Sequence, residues 1–393
     1  MIKTPLQWGV FFYSILSETL TMKKILFITG TRADFGKIKS LMDKVESMKN
    51  FELHVLVTGM HMMKLYGSTF IEVKKQNYRN SYLISNQHTD EPMCSVLSNT
   101  ISIISRLVNS IDPDMIVVHG DRIEALAGAT VGALNHIRVC HIEGGELSGT
   151  IDDSIRHSIT KLSHIHMVAN DEAKQRLIQM GENKKAIFII GSPDLDIMDS
   201  GVLPSLEEAK NHYDITFENY GIVMFHPVTS EEKDIKQYTE NLFKVLDRSE
   251  KRYVVIYPNN DPGSLKILDV IERYKNHINF RIFPSINFES FLVLLKNSEF
   301  IIGNSSAGVR EAPFYGLPSV NIGTRQNSRF RGPSVLDCDY SEEGIERALT
   351  EIDKLDVEKS TWFGKGNSTE LFESHIDSDR MWNIPVQKVF VDL

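Results

Sequence analysis

Residues 22–36, Met-Lys-Lys-Ile-Leu-Phe-Ile-Thr-Gly-Thr-Arg-Ala-Asp-Phe-Gly, run from a charged entry through a short apolar run to a glycine turn that opens a helix. The run Ile25–Thr29 does not alternate apolar with polar residues, so it reads as a strand buried on both faces. A buried strand turning through Gly30 into a helix is the opening unit of an open α/β domain.

The same unit repeats on either side of a polar gap. Strands are expected at Leu53–Thr58, Met115–His119, Val139–Glu143, His166–Asn170 and Ile187–Ile190. Helical patterns lie between them at Gly36–Met48, Val96–Asn109, Arg122–Leu134, Ser154–Leu162 and Glu172–Met180. A second series starts near Tyr220, with strands at Ile222–Phe225, Tyr253–Tyr257, Phe280–Phe283, Phe300–Gly303 and Ser319–Ile322. Its helices are expected at Glu231–Asp247, Ser264–Tyr274, Phe288–Asn297 and Ala307–Tyr315. Ser200–Asn219, polar and carrying Pro204, is the linker candidate. The expected organisation is an extension over 1–21, a domain over 22–199, a second over 200–375, and a segment over 376–393 that packs back on the first. Trp382 and Val386–Val391 make that last segment apolar enough to dock. Two parallel sheets leave a cleft between the carboxyl ends of their strands, where open α/β sheets bind ligands.

Composition narrows the class. The chain has 393 residues, 41% hydrophobic and 24% charged, an average globular balance that excludes a disordered chain and favours two domains. A net charge of −9 argues against broad binding to nucleic acid or anionic membranes. Cys94, Cys140 and Cys338, widely spaced, form neither a disulfide framework nor a zinc ribbon and fit buried thiols in a reducing, cytoplasmic compartment. Residues 1–21 hold an apolar run from Trp8 to Leu16 without a small-residue cleavage site, too short to span a membrane. Met22 reads as the functional start, with an interfacial anchor as the rival reading.

Several strand ends carry chemistry. Backbone amides at the Gly30–Gly36 turn suit an anion and Arg32 adds a fork of donors; a surface ion pair is the plainer reading. The turn is neither GxGxxG nor a Walker loop. Ser305, Ser306, Ala307 and Gly308 follow a buried strand and suit phosphate oxygens, or simply cap a helix. Beyond them Glu311 suits ribose hydroxyls or a solvated face. Asp121 and Glu143 end adjacent strands, and Asp152 and Asp153 precede the helix with Arg156 and His157. Carboxylates converging on one rim repel, so one holds a proton while another stays ionised, as paired acid and base work requires. Asp153 reads as a helix N-cap, Glu124 and Glu146 as exposed, and Thr229 with Glu232 as a capping box. His226 ends a strand at the cleft, for a phosphate or sugar or as a satisfied core histidine. His164 and His166 lack a completing ligand set, so no metal site is expected.

Taken in order, ITGTRADFGK (28–37), VTGMHMMKLYG (57–67), HGDRIEALAG (119–128), HIEGGELSGTIDDSIRHSITK (141–161), FHPVT (225–229), GNSSAGVREAP (303–313) and NIGTRQNSR (321–329) form a specific set. On them, residues 22–393 resemble the hydrolysing UDP-N-acetylglucosamine 2-epimerases of bacterial sialic acid biosynthesis. The resemblance implies the GT-B architecture, two Rossmann-like domains with parallel sheets facing a cleft, and a C-terminal helix crossing back. It implies the conversion of UDP-N-acetylglucosamine and water to UDP and N-acetylmannosamine. It implies catalytic acids at Asp121, Glu143 and Asp152, phosphate contacts at Arg32, Ser305 and Ser306, His226 at the rim, and ribose binding at Glu311. Non-hydrolysing relatives carry an EAGLR-type sequence in place of the HIEGGE segment, which favours the hydrolysing branch.

The expected chemistry is departure of UDP, removal of the C2 proton by Glu143, and hydration of the resulting 2-acetamidoglucal by Asp121 and Asp152. It calls for no cofactor and no metal, since nothing is oxidised and the leaving group is already activated. A homodimer is expected, with no nucleic-acid or membrane partner. Three alternatives stay open: the same chemistry on UDP-N,N′-diacetylbacillosamine, a GT-B glycosyltransferase, and a non-catalytic nucleotide-sugar sensor.

Overall fold

The structure is a computed structural model and describes residues 22–355 and 357–392. The expectations for Met1–Thr21 lie outside the described residues. Seven strands form a first parallel sheet: β1 Lys23–Thr29, β2 Phe51–Val57, β3 Asn80–Leu83, β4 Met115–His119, β5 Arg138–Ile142, β6 Ile165–Val168 and β7 Ile187–Ile189. Six form a second: β8 Gly221–Met224, β9 Tyr253–Ile256, β10 Phe280–Phe283, β11 Phe300–Gly303, β12 Ser319–Ile322 and β13 Val335–Cys338. Their orders, β3-β2-β1-β4-β5-β6-β7 and β10-β9-β8-β11-β12-β13, share the doubly wound plan and reverse at β1/β4 and β8/β11. These are the two facing Rossmann-like halves of the GT-B arrangement.

β4, β11 and β12 are buried along their whole length, which is why they read as continuous apolar runs. The edge strands β3 and β13 were not expected. Each is short and part-exposed, so neither carries the apolar run that marks a central strand.

The chain changes lobes earlier than residue 200. The helix Asp194–Asp199 places Leu195, Ile197 and Met198 in one core with Tyr220, Ile222 and Phe288 of the second lobe. The expected linker itself contains the helix Leu206–His212, closed by a capping box from Ser205 to Glu208. The chain has also returned by Phe372, before residue 376. Phe372 and Ile376 join the first core with Ile25, Phe27 and Met42. Trp382 stacks on Phe51 at 6.0 Å, with the Lys23 ammonium 4.1 Å from its ring centre. Val389 and Phe390 are exposed, and the end of the segment docks on the first lobe through polar groups instead: Val386 O accepts from His164 Nε2 at 2.8 Å, and Lys388 donates to the Thr160, Lys161 and Ser163 carbonyls.

The lobes meet tightly. The helices Arg32–Ser47 and Phe288–Lys296 cross where a Cβ on Gly36 would lie 2.3 Å from Phe288 Cγ, so only glycine fits. Lys39 pairs with Glu289 at 2.9 Å across the same seam. Among the described residues no helix is long and apolar enough to cross a membrane. All three thiols are free; Cys140 is buried, Cys338 half-buried and Cys94 exposed, so the expectation of buried thiols holds fully for one.

Candidate active site

The carboxyl ends of both sheets border one cavity of about 220 Å³. Arg32, Lys37, Arg122, Arg156, Arg310, Arg325 and Arg329 line it, against the carboxylates Asp34, Asp121, Glu143 and Asp152. An excess of three positive charges thus sits inside a chain of net charge −9. The cations are crowded as well as buried. Burial and the neighbouring Arg156 push Arg329 down to about 10, and burial lowers Arg32. A di-anion entering this space would relieve both effects.

Asp121 follows β4 through Gly120, which stands at φ +71. Its carboxylate pairs with Arg156 and lies 3.9 Å from Arg329. Burial pushes Asp121 up, but Arg156, Arg329, Arg325 and Arg122 outweigh it and the group is lowered. Asp152 stands in the first turn of the helix Ile151–Leu162, which is capped by Thr150. Burial and the charge on Asp121 raise Asp152, although Arg325 Nη2 is 3.5 Å away. The two acids are therefore split in the way paired acid and base work needs. Their side chains are 19% and 17% exposed, open to the cavity, whereas that of Glu143 is 4% exposed. Glu143 follows β5 at φ +62 and sits 3.2 Å from His119 Nε2. Burial opposes its charge, yet Arg310, Lys37 and His119 hold it well below the usual carboxylate range.

The second lobe supplies donors. His226 Nδ1 accepts from the Asn259 N–H at 3.0 Å, so Nε2 carries the proton. Burial, Arg325 and Arg122 keep this ring neutral. Ser305 and Ser306 line the cavity. Ala307 and Gly308 do not border it: a Cβ on Gly308 would meet Ser319 Oγ at 2.5 Å, so packing requires that glycine. Glu311 is buried away from the cavity with Lys37 3.5 Å off, so in this structure it faces an ammonium from the first lobe.

Several local expectations are corrected. The Gly30 and Thr31 amides donate to Asp34 at 3.0 and 3.1 Å, the second as part of a capping box, so these two amides are taken, and Arg32 is the charged donor of this turn that lines the cavity. Arg32 also reaches across to Ser285 at 2.7 Å. Thr150, not Asp153, caps its helix; Asp153 accepts from Ser148 N instead. Thr229 opens a short 3₁₀ turn without a side-chain cap, and Glu232 pairs with Lys266. Glu124 and Glu146 are buried, Glu124 beneath Gly30 and Gly59 and Glu146 on Arg310. Arg310, Arg325 and Arg329 had no role from sequence. Arg325 and Arg329 fall in the loop after β12, and a pair of arginines after a buried strand in a second Rossmann-like half was the available signal. Among the described residues, no group of three His, Cys, Asp or Glu side chains is placed to hold a metal.

Similar proteins place this cleft in a lineage. A "UDP-N-acetylglucosamine 2-epimerase" of Neisseria meningitidis is 56% identical over 376 residues, 95% of this chain and all of that protein. A "UDP-N,N′-diacetylbacillosamine 2-epimerase (hydrolyzing)" of Legionella pneumophila is 33% identical over 89% of this chain and 94% of that protein. Two solved structures share the fold. One is a Neisseria meningitidis UDP-GlcNAc 2-epimerase bound to UDP-GlcNAc, with TM-score 0.73, 16% identity, and coverage of 90% of this chain and 99% of that one. The other is S. aureus MnaA with UDP, with TM-score 0.74, 20% identity, and coverage of 95% and 100%. The family model for UDP-N-acetylglucosamine 2-epimerase matches residues 43–377, so the match runs through both lobes and takes in Asp121, Glu143, Asp152 and the cleft arginines from Arg122 to Arg329. The chain therefore belongs to the UDP-N-acetylglucosamine 2-epimerase family.

Proposed function

We propose that the chain is a hydrolysing 2-epimerase that converts UDP-N-acetylglucosamine and water to UDP and N-acetylmannosamine, feeding sialic acid synthesis. The observation that carries this reading is the crowded cationic cavity beside two carboxyls of opposite proton affinity. The pyrophosphate meets Arg32, the His226 Nε2–H, Ser305 and Ser306, and their donors stabilise charge as the C1–O bond breaks. Departure of UDP leaves an oxocarbenium-like C1, which makes the C2 proton acidic. A weak base then suffices, and Glu143, kept ionised by its cations, takes that proton as the C1=C2 bond forms. Water next adds to C1 of the 2-acetamidoglucal. Asp121, ionised, accepts the water proton, and Asp152, the more readily protonated carboxyl, returns a proton to C2 on the opposite face.

Relatives at 33% and 30% identity are named as hydrolysing enzymes, which supports that branch. Supplying UDP-N-acetylglucosamine alone is expected to yield free UDP and N-acetylmannosamine. UDP-N-acetylmannosamine with no free UDP makes the chain a non-hydrolysing epimerase. UDP release only with an added acceptor makes it a transferase. UDP-N,N′-diacetylbacillosamine run beside it separates the two substrates. In deuterated water the product carries deuterium at C2; product without it overturns the elimination route. The enzyme acts as a homodimer on this reading, and light scattering of the purified chain tests that.

A further inference from the structure

Arg310 follows β11 in the second lobe, but its guanidinium ends among first-lobe groups. Nη2 donates to Glu143 and to Ser192 Oγ, and Nη1 donates to Glu146. Ser192 Oγ donates in turn to the same Glu143 oxygen. The guanidinium is 4.6 Å from the Phe363 ring centre, which fixes its plane. Arg310, Glu143, Glu146 and Ser192 are all buried. The other groups facing Glu143 are His119 at 3.2 Å, Lys37 at 4.0 Å, and Arg156, whose guanidinium donates to the Glu143 carbonyl at 2.7 Å. Lys37 also serves Asp194 at 3.6 Å and Glu311 at 3.5 Å. Four carboxylates therefore share two buried cations, Arg310 and Lys37.

Glu143 sits at φ +62, a conformation that costs energy for a residue with a side chain, so something must over-determine it. The only group from the second lobe in direct ion-pair contact with Glu143, among the described residues, is Arg310. We infer that Arg310 is a cross-cleft positioning residue, which aims the Glu143 carboxylate at the substrate and keeps it ionised. This rests on the reading of Glu143 as the base in the proposed reaction. Without Arg310, Glu146 loses its ion-pair partner, and Glu143 keeps His119 at 3.2 Å, Arg156 on its carbonyl, and a Lys37 ammonium at 4.0 Å that also serves Asp194 and Glu311, so the cluster takes up a proton more readily. Glu143 then loses its basic form at higher pH than before.

The test is steady-state UDP release across a range of pH, with UDP affinity measured separately by calorimetry. For Arg310→Gln, kcat falls on the order of 100-fold while UDP affinity stays within about threefold, and the acid limb of the kcat profile moves to higher pH. Arg310→Lys keeps the charge without the fork, restores part of kcat and moves the limb part of the way back. Ser192→Ala removes the second donor to the same oxygen and lowers kcat about tenfold with a limb shift of the same sign. Near-normal kcat with an unmoved limb overturns the inference, and so does a loss carried wholly by weaker UDP binding. Should Arg310→Gln fail to fold, Arg310→Lys and Ser192→Ala decide by the same limb. An inactive wild type overturns this inference together with the proposed function, whereas an active wild type with indifferent variants overturns this inference alone.

Discussion

The two lobes share one strand order, yet the same topological positions carry opposite chemistry. In the first lobe β4 and β5 end in Asp121 and Glu143; in the second β11 and β12 lead to Ser305, Ser306 and Arg325. The plan of the sheet places a site, and the residues just past each strand decide what it does. The first rim offers proton carriers and the second offers donors to an anion. Within the first rim a further contrast appears. Glu143 is the more deeply buried carboxyl, and burial alone would make it the easier to protonate. It is the reverse: burial raises both groups, but Arg310 and Lys37 overcome it at Glu143, whereas the charge of Asp121 adds to it at Asp152. Nearby charge, not burial, sorts the acids.

The largest expected effect tests the first rim as a proton-handling surface. Asp121→Asn keeps the fold and lowers kcat on the order of 1,000-fold with UDP binding retained. Near-normal turnover removes Asp121 from the chemistry and breaks the division between rims. A smaller effect tests the anion-binding side. Arg32→Ala, which removes a half-buried donor beside Ser285, weakens UDP affinity about 10- to 100-fold and lowers kcat about tenfold as leaving-group charge loses a donor. Calorimetry with UDP reads this directly, and unchanged affinity takes Arg32 off the phosphate.

The remaining effects are in stability, and they differ in sign. Glu143 has a folded pKa below its ordinary value, so it contributes stability that is present above the ordinary carboxyl range and lost as pH falls through the folded value. Glu143→Gln is therefore destabilising at neutral pH, by about 3 kcal/mol, because it leaves Arg310 and Lys37 underpaired. Asp152 has a folded pKa above its ordinary value, so stability is greatest below the ordinary range and declines as pH rises through the folded value. Asp152→Asn accordingly stabilises the neutral-pH fold, by under about 1 kcal/mol. Urea unfolding of both variants at neutral pH checks the pair; shifts of the same sign undo the contrast.

The central strands were legible because burial on both faces writes an unbroken apolar run, as in Ile25–Thr29 and Phe300–Gly303. The edge strands Asn80–Leu83 and Val335–Cys338 were not, because a half-exposed strand need not be apolar. Asp121 and Glu143 stood out as acids at strand ends. Arg310 did not, because a single arginine beside Glu311 looks like any surface pair until the lobes meet.

Local chemistry along the chain was enough to specify two doubly wound halves, a cleft at their strand ends, and the acids on its rim. Periodicity and turn residues are short-range properties, and each strand carries its own evidence. The protonation of those acids belongs to the folded molecule alone. A carboxyl responds to the charges within a few ångströms, and the guanidinium that holds Glu143 ionised comes from 167 residues away along the chain.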